Sequence, residues 1–428
     1  MIKTEDLKKN LQDKVYDELF SKLYGCEQNQ LEIVKKRYRE LINEFEKTFG
    51  VKGEISLFSA PGRTEIGGNH TDHQRGCVIA GSVNLDVIAV AALNNSEEIR
   101  IQSEGYPLDT INLNELEPDE TEFNQAKALI RGVCAKFKAL GYNLKGFDAY
   151  TTSNVLKGSG LSSSAAFEVL IGNILNGLFA NGGVNPVEIA KIGQYAENVY
   201  FGKPSGLMDQ MASSVGGAVA IDFQDNENPV IKKINFDFSK CGHALCIIDS
   251  GADHADLTYE YAAIPFEMKE VAKFFDKEFL REVKKSDFLN KISEIRKVTG
   301  DRAVLRALHF FNENERAQKE SEMLENGNFD EFLRLVKESG YSSYMYLQNV
   351  CPKGSVKEQA VAYTLAVCDE ILKNRGAFRV HGGGFAGTIQ AFVPEDMLED
   401  FKNKIELTVG KNCCHILNIR PLGGVQIV

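Results

Sequence analysis

Residues 158–165 read Gly-Ser-Gly-Leu-Ser-Ser-Ser-Ala. The pattern predicts a strand over 147–152 before this stretch and a long apolar helix from about 163 to 180 after it. Glycines let the backbone approach a ligand closely, and a helix start directs unpaired N–H groups and the positive end of its dipole to the same place. The serines add hydroxyls for phosphate oxygens or a metal ion. The stretch therefore favours a phosphate-binding loop, with a turn that only caps the helix as the alternative.

Two known glycine-loop patterns do not describe this stretch. It is not a Walker A loop, because no Gly-Lys-Ser/Thr follows, and Ser163 stands where a dinucleotide fingerprint needs its third glycine. Residues 382–387, Gly-Gly-Gly-Phe-Ala-Gly, match that fingerprint literally, but a predicted strand over 388–393 follows instead of a helix. This second run is predicted to be a tight hairpin that packs against the ligand or the first loop. A purely structural turn is the alternative.

Composition limits the class of protein. A chain of 428 residues is long enough for two domains, and its net charge of −11 argues against general nucleic-acid binding, which rewards lysine and arginine. The nine cysteines include no C-x-x-C pair and are expected to be reduced thiols. The polar N-terminus lacks the apolar core of a signal peptide, and no stretch approaches the length of a membrane helix. We therefore expect a cytoplasmic protein without membrane or nucleic-acid partners, and a monomer.

Helical and strand-like segments alternate along the chain, with most strands before residue 250 and most helices after it. The fold class is therefore predicted to be α/β in the mixed sense (α+β). Polar residues near 225–242 interrupt the pattern and indicate a domain boundary. The predicted units are a helical N-terminal extension (1–48), an N-terminal domain with the phosphate loop (49–230) and a C-terminal domain (231–428).

A polar segment follows a strand predicted over 55–60. Residues 61–73 read Pro-Gly-Arg-Thr-Glu-Ile-Gly-Gly-Asn-His-Thr-Asp-His, which is predicted to be a loop held by the strand after it. Its polar side chains suit a sugar, whose hydroxyls need donors and acceptors in fixed places. A metal site at the two histidines is disfavoured, because no third soft ligand is close in sequence. The polar side chains of the segment are those of Arg63, Glu65, Asn69, His70, Asp72 and His73.

Two further carboxylates lie in mostly apolar surroundings. Asp209 follows Leu207 and Met208 in a predicted helix, and Glu197 comes twelve residues earlier. Taken alone, each is best interpreted as an acid on the solvent face of a helix.

Four segments together resemble the motifs of the GHMP kinase superfamily, and specifically those of galactokinases, in order and in spacing. The resemblance covers about residues 50–428 and implies two α/β domains with the active site between them. The matching segments are Pro61-Gly-Arg63 with Gly68-Asn-His-Thr-Asp72, then Gly158–Ala165, Ser205–Gln210 and His381–Gly387.

The resemblance implies ATP-dependent phosphorylation of the C1 hydroxyl of galactose. Asp209 would be the general base, and Arg63 would lower the pKa of that hydroxyl or stabilise the transferring phosphoryl group. Ser164 and Glu197 would hold Mg²⁺. The sugar would contact Asn69, His70, Asp72 and Tyr261. The ATP phosphates would lie against Gly158, Ser159, Gly160, Leu161, Ser162, Ser163, Ser164 and Ala165, with a structural glycine motif at Gly382, Gly383, Gly384 and Gly387.

Several positions depart from the family pattern. Galactokinases usually carry Glu at the position of Asn69, Tyr at that of His73 and Cys at that of Ser205. A neutral Asn69 would make a sugar altered at C6, such as galacturonate, the alternative substrate. A second alternative is a non-catalytic sugar and ATP sensor, which the intact Ser164-Ala165, Asp209 and Arg63 argue against. A mevalonate or homoserine kinase is disfavoured by the His-Thr-Asp cluster.

Overall fold

The structure is a computed structural model that describes residues 1–26, 28–50, 53–156, 159–203, 205–252 and 257–428. It is a mixed helix and sheet fold. Its strands are β1 (Ile2–Lys3), β2 (Glu54–Gly67), β3 (Cys77–Leu93), β4 (Glu98–Ser103), β5 (Leu108–Asn112), β6 (Phe147–Ser153), β7 (Ala218–Asp222), β8 (Val230–Ile234), β9 (His243–Asp249), β10 (Ala377–Val380), β11 (Thr388–Pro394), β12 (Cys414–Leu417) and β13 (Val425–Gln426).

Helices precede, separate and follow these strands. In the part of the chain that the structure describes, no helix is long and apolar enough to cross a membrane. They are α1 (Thr4–Gln12), α2 (Asp17–Tyr24), α3 (Gln28–Phe49), α4 (Ala126–Ala139), α5 (Ser163–Phe179), α6 (Pro186–Tyr195), α7 (Met208–Val215), α8 (Thr258–Lys273), α9 (Lys285–Asn290), α10 (Ile292–Thr299), α11 (Asp301–Glu325), α12 (Phe329–Ser342), α13 (Ala360–Leu372) and α14 (Leu398–Thr408).

The larger sheet has its long strands β2 and β3 near its centre. The order is β1-β2-β3-β6-β4-β5; β7 pairs with the first half of β3 and with β8, and β13 pairs with β2. Successive side chains along a strand point to opposite faces of the sheet, and β3 is buried on both of these faces. Ala89 and Ala91 contribute to the core that includes residues of α4, α5 and α6, whereas Ile88 and Val90 contribute to the core beneath the N-terminal helices.

The smaller sheet has the order β10-β11-β9-β12, and all its pairs are antiparallel. Its strands share a core with α13 and α14. The turn between β10 and β11 contains the glycines at 382–387, so the predicted hairpin is confirmed.

The predicted N-terminal helices are confirmed by α1, α2 and α3, whose apolar residues pack on the larger sheet. The predicted domain boundary at 230/231 remains a proposal. Strand β8 belongs to the larger sheet, which therefore extends to Ile234, and β13 returns to that sheet from the C-terminal end of the chain.

The prediction of a loop from residue 61 is wrong. Strand β2 continues to Gly67, with its pairing to β3 shifted between Pro61 and Arg63 and again between Glu65 and Gly67. Bulges of this kind allow a strand to contain residues such as Pro61 and Gly67, and they bend the strand. The consequence is that Arg63 and Glu65 lie in regular register and share one face of the strand.

Candidate active site

A cavity of about 250 Å³ opens where β2, the start of α7 and the β10–β11 hairpin meet. Seven of its eleven lining residues carry polar or charged side chains, which suit a hydroxyl-rich ligand. The wall is formed by Arg63, Glu65, His70, Asp72, His73, Ser205, Gly206, Met208, Asp209, Gly382 and Gly383.

Asp209 and Arg63 form an ion pair on this wall. The Arg63 Nε donates to Asp209 Oδ1 at 2.6 Å, and the Ser162 hydroxyl donates to Oδ2 at 2.6 Å. Arg63 also donates to the carbonyl of Gly160 in the phosphate loop. Asp209 lies in the first turn of α7, where the helix dipole favours a negative charge. The pair thus connects the loop with the cavity, and the Asp209 side chain is still 28% exposed.

Burial by itself would raise the pKa of Asp209, but the Arg63 charge and the hydrogen bonds from Arg63 and Ser162 together hold that pKa below its usual value. The carboxylate is therefore unprotonated at neutral pH. Ser162 has φ of 54°, a left-handed conformation that is unfavourable for a residue with a Cβ. This conformation occurs at the residue whose hydroxyl contacts Asp209, which is typical of backbone strain at a functional site.

The predicted phosphate loop leads into α5, which begins at Ser163 as expected. Ser163 and Ser164 lie in its first turn, while Leu161 and Ala165 are buried in the core. Gly158 lies outside the described residues. The Ser159 carbonyl accepts a hydrogen bond of 2.9 Å from the Thr388 hydroxyl, which connects the loop to β11. The loop and the glycine hairpin are therefore neighbours, as the sequence predicted.

His70, Asp72 and His73 all reach the cavity wall. The His70 Nε2 donates to the carbonyl of Gly383 at 2.9 Å, because a carbonyl oxygen can only accept. Burial, followed by the nearby His70, lowers the pKa of His73 well below its usual value, so His73 is neutral. Among the described residues, none pairs with the buried Nδ1 of His73. Burial raises the pKa of Asp72, and Glu65 acts in the same direction.

The expected direct contact between Asn69 and a sugar needs correction, because Asn69 is fully buried and does not line the cavity. Its amide donates to Glu65 Oε1 at 2.9 Å and to the carbonyl of Gly382 at 2.7 Å. Its oxygen accepts from Asn349 at 3.0 Å and from Ser343 at 3.4 Å. An amide offers two donors and two acceptor positions, so Asn69 has none left for a ligand.

Glu65 occupies the cavity wall instead, and sequence reasoning did not assign it a role. The signal that could have identified it is its spacing of two residues from Arg63, which places both on one face of a strand. That signal had no meaning while the segment was interpreted as a loop.

Tyr261 lies behind the glycine hairpin and is not part of the cavity wall. Its hydroxyl donates to the carbonyl of Gly384 at 2.9 Å, and a Cβ at position 383 would stand 2.6 Å from the Tyr261 ring. Gly383 is therefore required by this close approach. In this structure Tyr261 supports the hairpin, which itself lines the cavity at Gly382 and Gly383. Gly387 ends the hairpin, where its carbonyl accepts from the Ser250 hydroxyl at 2.6 Å.

Glu197 lies in a single π-helical turn, Ala196–Phe201, that extends α6. Its side chain is 3% exposed and forms a salt bridge of 2.9 Å with Lys203. Gln210 donates to Glu197 Oε2 at 2.8 Å and to Glu168 at 2.9 Å. Burial, and then the Glu197 charge, raises the pKa of Glu168 well above its usual value, which favours its protonated form. π-Helical turns are frequent at functional sites.

Comparisons with known proteins show the family of the chain. A family model of the GHMP kinases N terminal domain matches residues 126–217, and one of the galactokinase galactose-binding signature matches residues 43–93. A galactokinase of Glaesserella parasuis is 30% identical over 377 residues, which cover 85% of this chain and 91% of that protein. The chain belongs to the galactokinase family. A galactokinase of Clostridium tetani is 28% identical over 383 residues, covering 87% of this chain and 92% of its own.

Solved structures show the fold of this galactokinase-family chain. The crystal structure of Lactococcus lactis galactokinase complexed with galactose matches with a TM-score of 0.76 at 24% identity, covering 91% of this chain and 99% of that one. The Methanococcus jannaschii mevalonate kinase matches with a TM-score of 0.61 at 15% identity, covering 86% and 99%. The predicted GHMP kinase fold is confirmed.

Proposed function

We propose that this protein is an ATP-dependent galactokinase that transfers the γ-phosphoryl group of ATP to the C1 hydroxyl of galactose. The observation that carries the proposal is the Arg63–Asp209 pair, which joins the phosphate loop to a cavity lined by several charged side chains in a chain of the galactokinase family. Its nine unpaired cysteines fit a cytoplasmic enzyme.

Asp209 would act as the general base. Its lowered pKa keeps it unprotonated at neutral pH, so it can accept the proton of the C1 hydroxyl as the bond to phosphorus forms. A base of low pKa accepts a proton well only if the hydroxyl becomes acidic in the transition state. Arg63 serves that need, because its positive charge stabilises the developing negative charge on the attacking and transferring oxygens.

The phosphates of ATP would lie at the start of α5, where backbone N–H groups and the helix dipole favour anions. Mg²⁺ prefers carboxylate and hydroxyl oxygens, which Glu197 and Ser164 supply. Lys203, whose side chain is 58% exposed, pairs with Glu197 Oε1, while Ser205 and Gln210 donate to Oε2. An ion held by Glu197 would take the place of the Lys203 charge, so the carboxylate fits the ion. A bound Mg²⁺ would neutralise charge on the β- and γ-phosphates. Among the described residues, no group of three or more His, Cys, Asp or Glu is arranged to hold a metal ion, so ATP oxygens and water would complete its shell.

The test is a coupled ADP-release assay with galactose, galacturonate, N-acetylgalactosamine, arabinose and glucose. Galactose should give the highest kcat/KM. Galacturonate is not favoured, because Glu65 and Asp72 place carboxyl groups on the cavity wall whatever the residue at 69. Absence of ADP release with every sugar, despite binding of ATP and galactose, would instead support a sensor.

The metal assignment is tested with Ser164→Ala. Loss of a hydroxyl that faces Mg²⁺ should raise the Mg²⁺ concentration needed for half-maximal rate and lower kcat. A Mg²⁺ titration of the variant that overlays that of the wild type would remove Ser164 from the site.

A further inference from the structure

Glu65 is a buried acid on the cavity wall. It lies in β2 two residues after Arg63, and its side chain is only 6% exposed. A charged side chain this buried needs partners, and one that also borders a ligand cavity can present its remaining capacity to the ligand.

One oxygen of Glu65 is fully engaged by the protein. The Arg379 Nη2 and the Asn69 Nδ2 each donate to Oε1 at 2.9 Å. Arg379 is completely buried, and it also donates to the Glu65 backbone carbonyl at 2.9 Å. Asn69 is fixed in turn by Gly382 and Asn349. The carboxylate is therefore held in one orientation from behind the cavity.

The other oxygen has no such partner. Among the residues that the structure describes, none donates to Glu65 Oε2. A carboxylate oxygen accepts hydrogen bonds strongly and cannot donate them. A sugar hydroxyl is the matching donor. Because Oε1 is anchored, Oε2 meets that hydroxyl without losing rotational freedom on binding.

We propose that Glu65 Oε2 accepts a hydrogen bond from one hydroxyl of the bound sugar, and that Asn69 and Arg379 position it. This inference rests on the proposed galactokinase function and assigns Glu65 as a residue that determines which sugar is accepted. Glu65 thus takes the role of sugar contact that was expected of Asn69, and Asn69 is a positioning residue that holds Glu65.

The experiment combines Glu65→Gln with galactose and its 2-, 3-, 4- and 6-deoxy analogues. In the variant, KM for galactose should rise about 10–100-fold, the usual cost of losing a hydrogen bond to a charged group, while KM for ATP stays unchanged. In the wild type, one deoxy sugar should show a large loss of kcat/KM. That loss should fall below about twofold in Glu65→Gln, while the losses for the other analogues remain, because only the paired group and hydroxyl are coupled.

The matched control is Glu267→Gln. Like Glu65, Glu267 is a largely buried acid paired with arginine, in its case with both Arg302 and Arg306, but it lies outside the cavity wall. Its variant should keep every deoxy penalty of the wild type. Equal penalties in Glu65→Gln and the wild type would overturn the inference, since a merely structural Glu65 would weaken all sugars alike.

A second measurement does not depend on a variant that folds. In a crystal structure of the wild-type protein with galactose, one sugar oxygen should lie about 2.6–3.2 Å from Glu65 Oε2. A sugar that leaves this oxygen without a contact would overturn the inference. Failure of the proposed function is distinct, because the wild type would then release no ADP with galactose.

Discussion

Asp86 and Asp209 are two aspartates with arginine partners, and they differ in what surrounds the pair. The Asp86 side chain is 0% exposed and accepts from the Tyr24 and Ser59 hydroxyls and from Arg37 and Arg420. The Asp209 side chain is 28% exposed and accepts from Arg63 and Ser162 beside an open cavity.

The difference separates stability from function. Asp86 joins an N-terminal helix, the centre of the larger sheet and the C-terminal segment, and its hydrogen-bonding capacity is used within the protein. Asp209 keeps part of its surface for a ligand. A saturated ion pair stabilises one arrangement of the chain, whereas an open pair can exchange partners during a reaction.

Asp209→Asn should give the largest effect. An amide of the same shape cannot accept the hydroxyl proton, so kcat should fall about 10²–10⁴-fold, the usual contribution of a general base. ATP binding should stay nearly unchanged. Steady-state kinetics and calorimetric titration of ATP measure both, and a variant that keeps more than about a tenth of the wild-type kcat contradicts the assignment.

Asp86→Asn should lower the stability of the protein and leave kcat unchanged. Removing one member of a buried ion pair costs about 3–5 kcal/mol in the free energy of unfolding, because Arg37 and Arg420 are left without their counter-charge. The kcat of the folded fraction should match the wild type. Denaturant unfolding measures the change.

The control for Asp86→Asn is Asp396→Asn. Asp396 pairs with Arg375 on the surface, where both side chains are more than half exposed. An exposed pair contributes about 0–1 kcal/mol, so this variant should unfold almost as the wild type does. If both variants lost the same free energy of unfolding, the burial of Asp86 and its full set of hydrogen bonds would not make its ion pair more stabilising than an exposed one.

The Asp86 contribution should also depend on pH. Burial alone would raise the pKa of Asp86, but the charges of Arg37 and Arg420 hold it below its usual value. A carboxyl whose pKa is depressed by folding stabilises the protein above its unfolded pKa of about 3.9 and loses that contribution as pH falls through the folded value. The difference in unfolding free energy between wild type and Asp86→Asn should thus be constant from about pH 7 to 5 and shrink below about pH 4.

These two sites also show what the sequence could predict. Asp209 and Arg63 were identified because each lies in a short motif, and the glycine hairpin and α5 follow from local pattern. Asp86 gave no signal, since its partners Tyr24 and Arg420 are far away along the chain. Asn69 was expected to contact the sugar because of its place in the family motif. Glu65 was assigned no role, because a bulged strand was interpreted as a loop, and bulges depend on pairing with β3 rather than on local sequence.

The smallest effect is expected at Ser162, which supplies the second hydrogen bond to Asp209. Ser162→Ala removes the donor to Oδ2 and leaves the Arg63 bond in place. Since that hydrogen bond lowers the pKa of Asp209, its loss should raise the pKa and shift the acid limb of the kcat/KM profile to higher pH. A carboxylate held by one donor is also less well oriented, so kcat should fall about tenfold, or about 1.4 kcal/mol.

The comparison of Ser162→Ala with Ser162→Gly separates the hydroxyl from the backbone. Residue 162 has φ of 54°, which glycine adopts without the steric cost that alanine retains. Both variants lack the hydroxyl and should lose kcat alike, while the glycine variant should be at least as stable as the alanine variant. If glycine restored the wild-type kcat, the backbone conformation and not the hydrogen bond would be what matters at this position. Asp209 would then depend on Arg63 alone, and the open pair would need only one fixed partner to function.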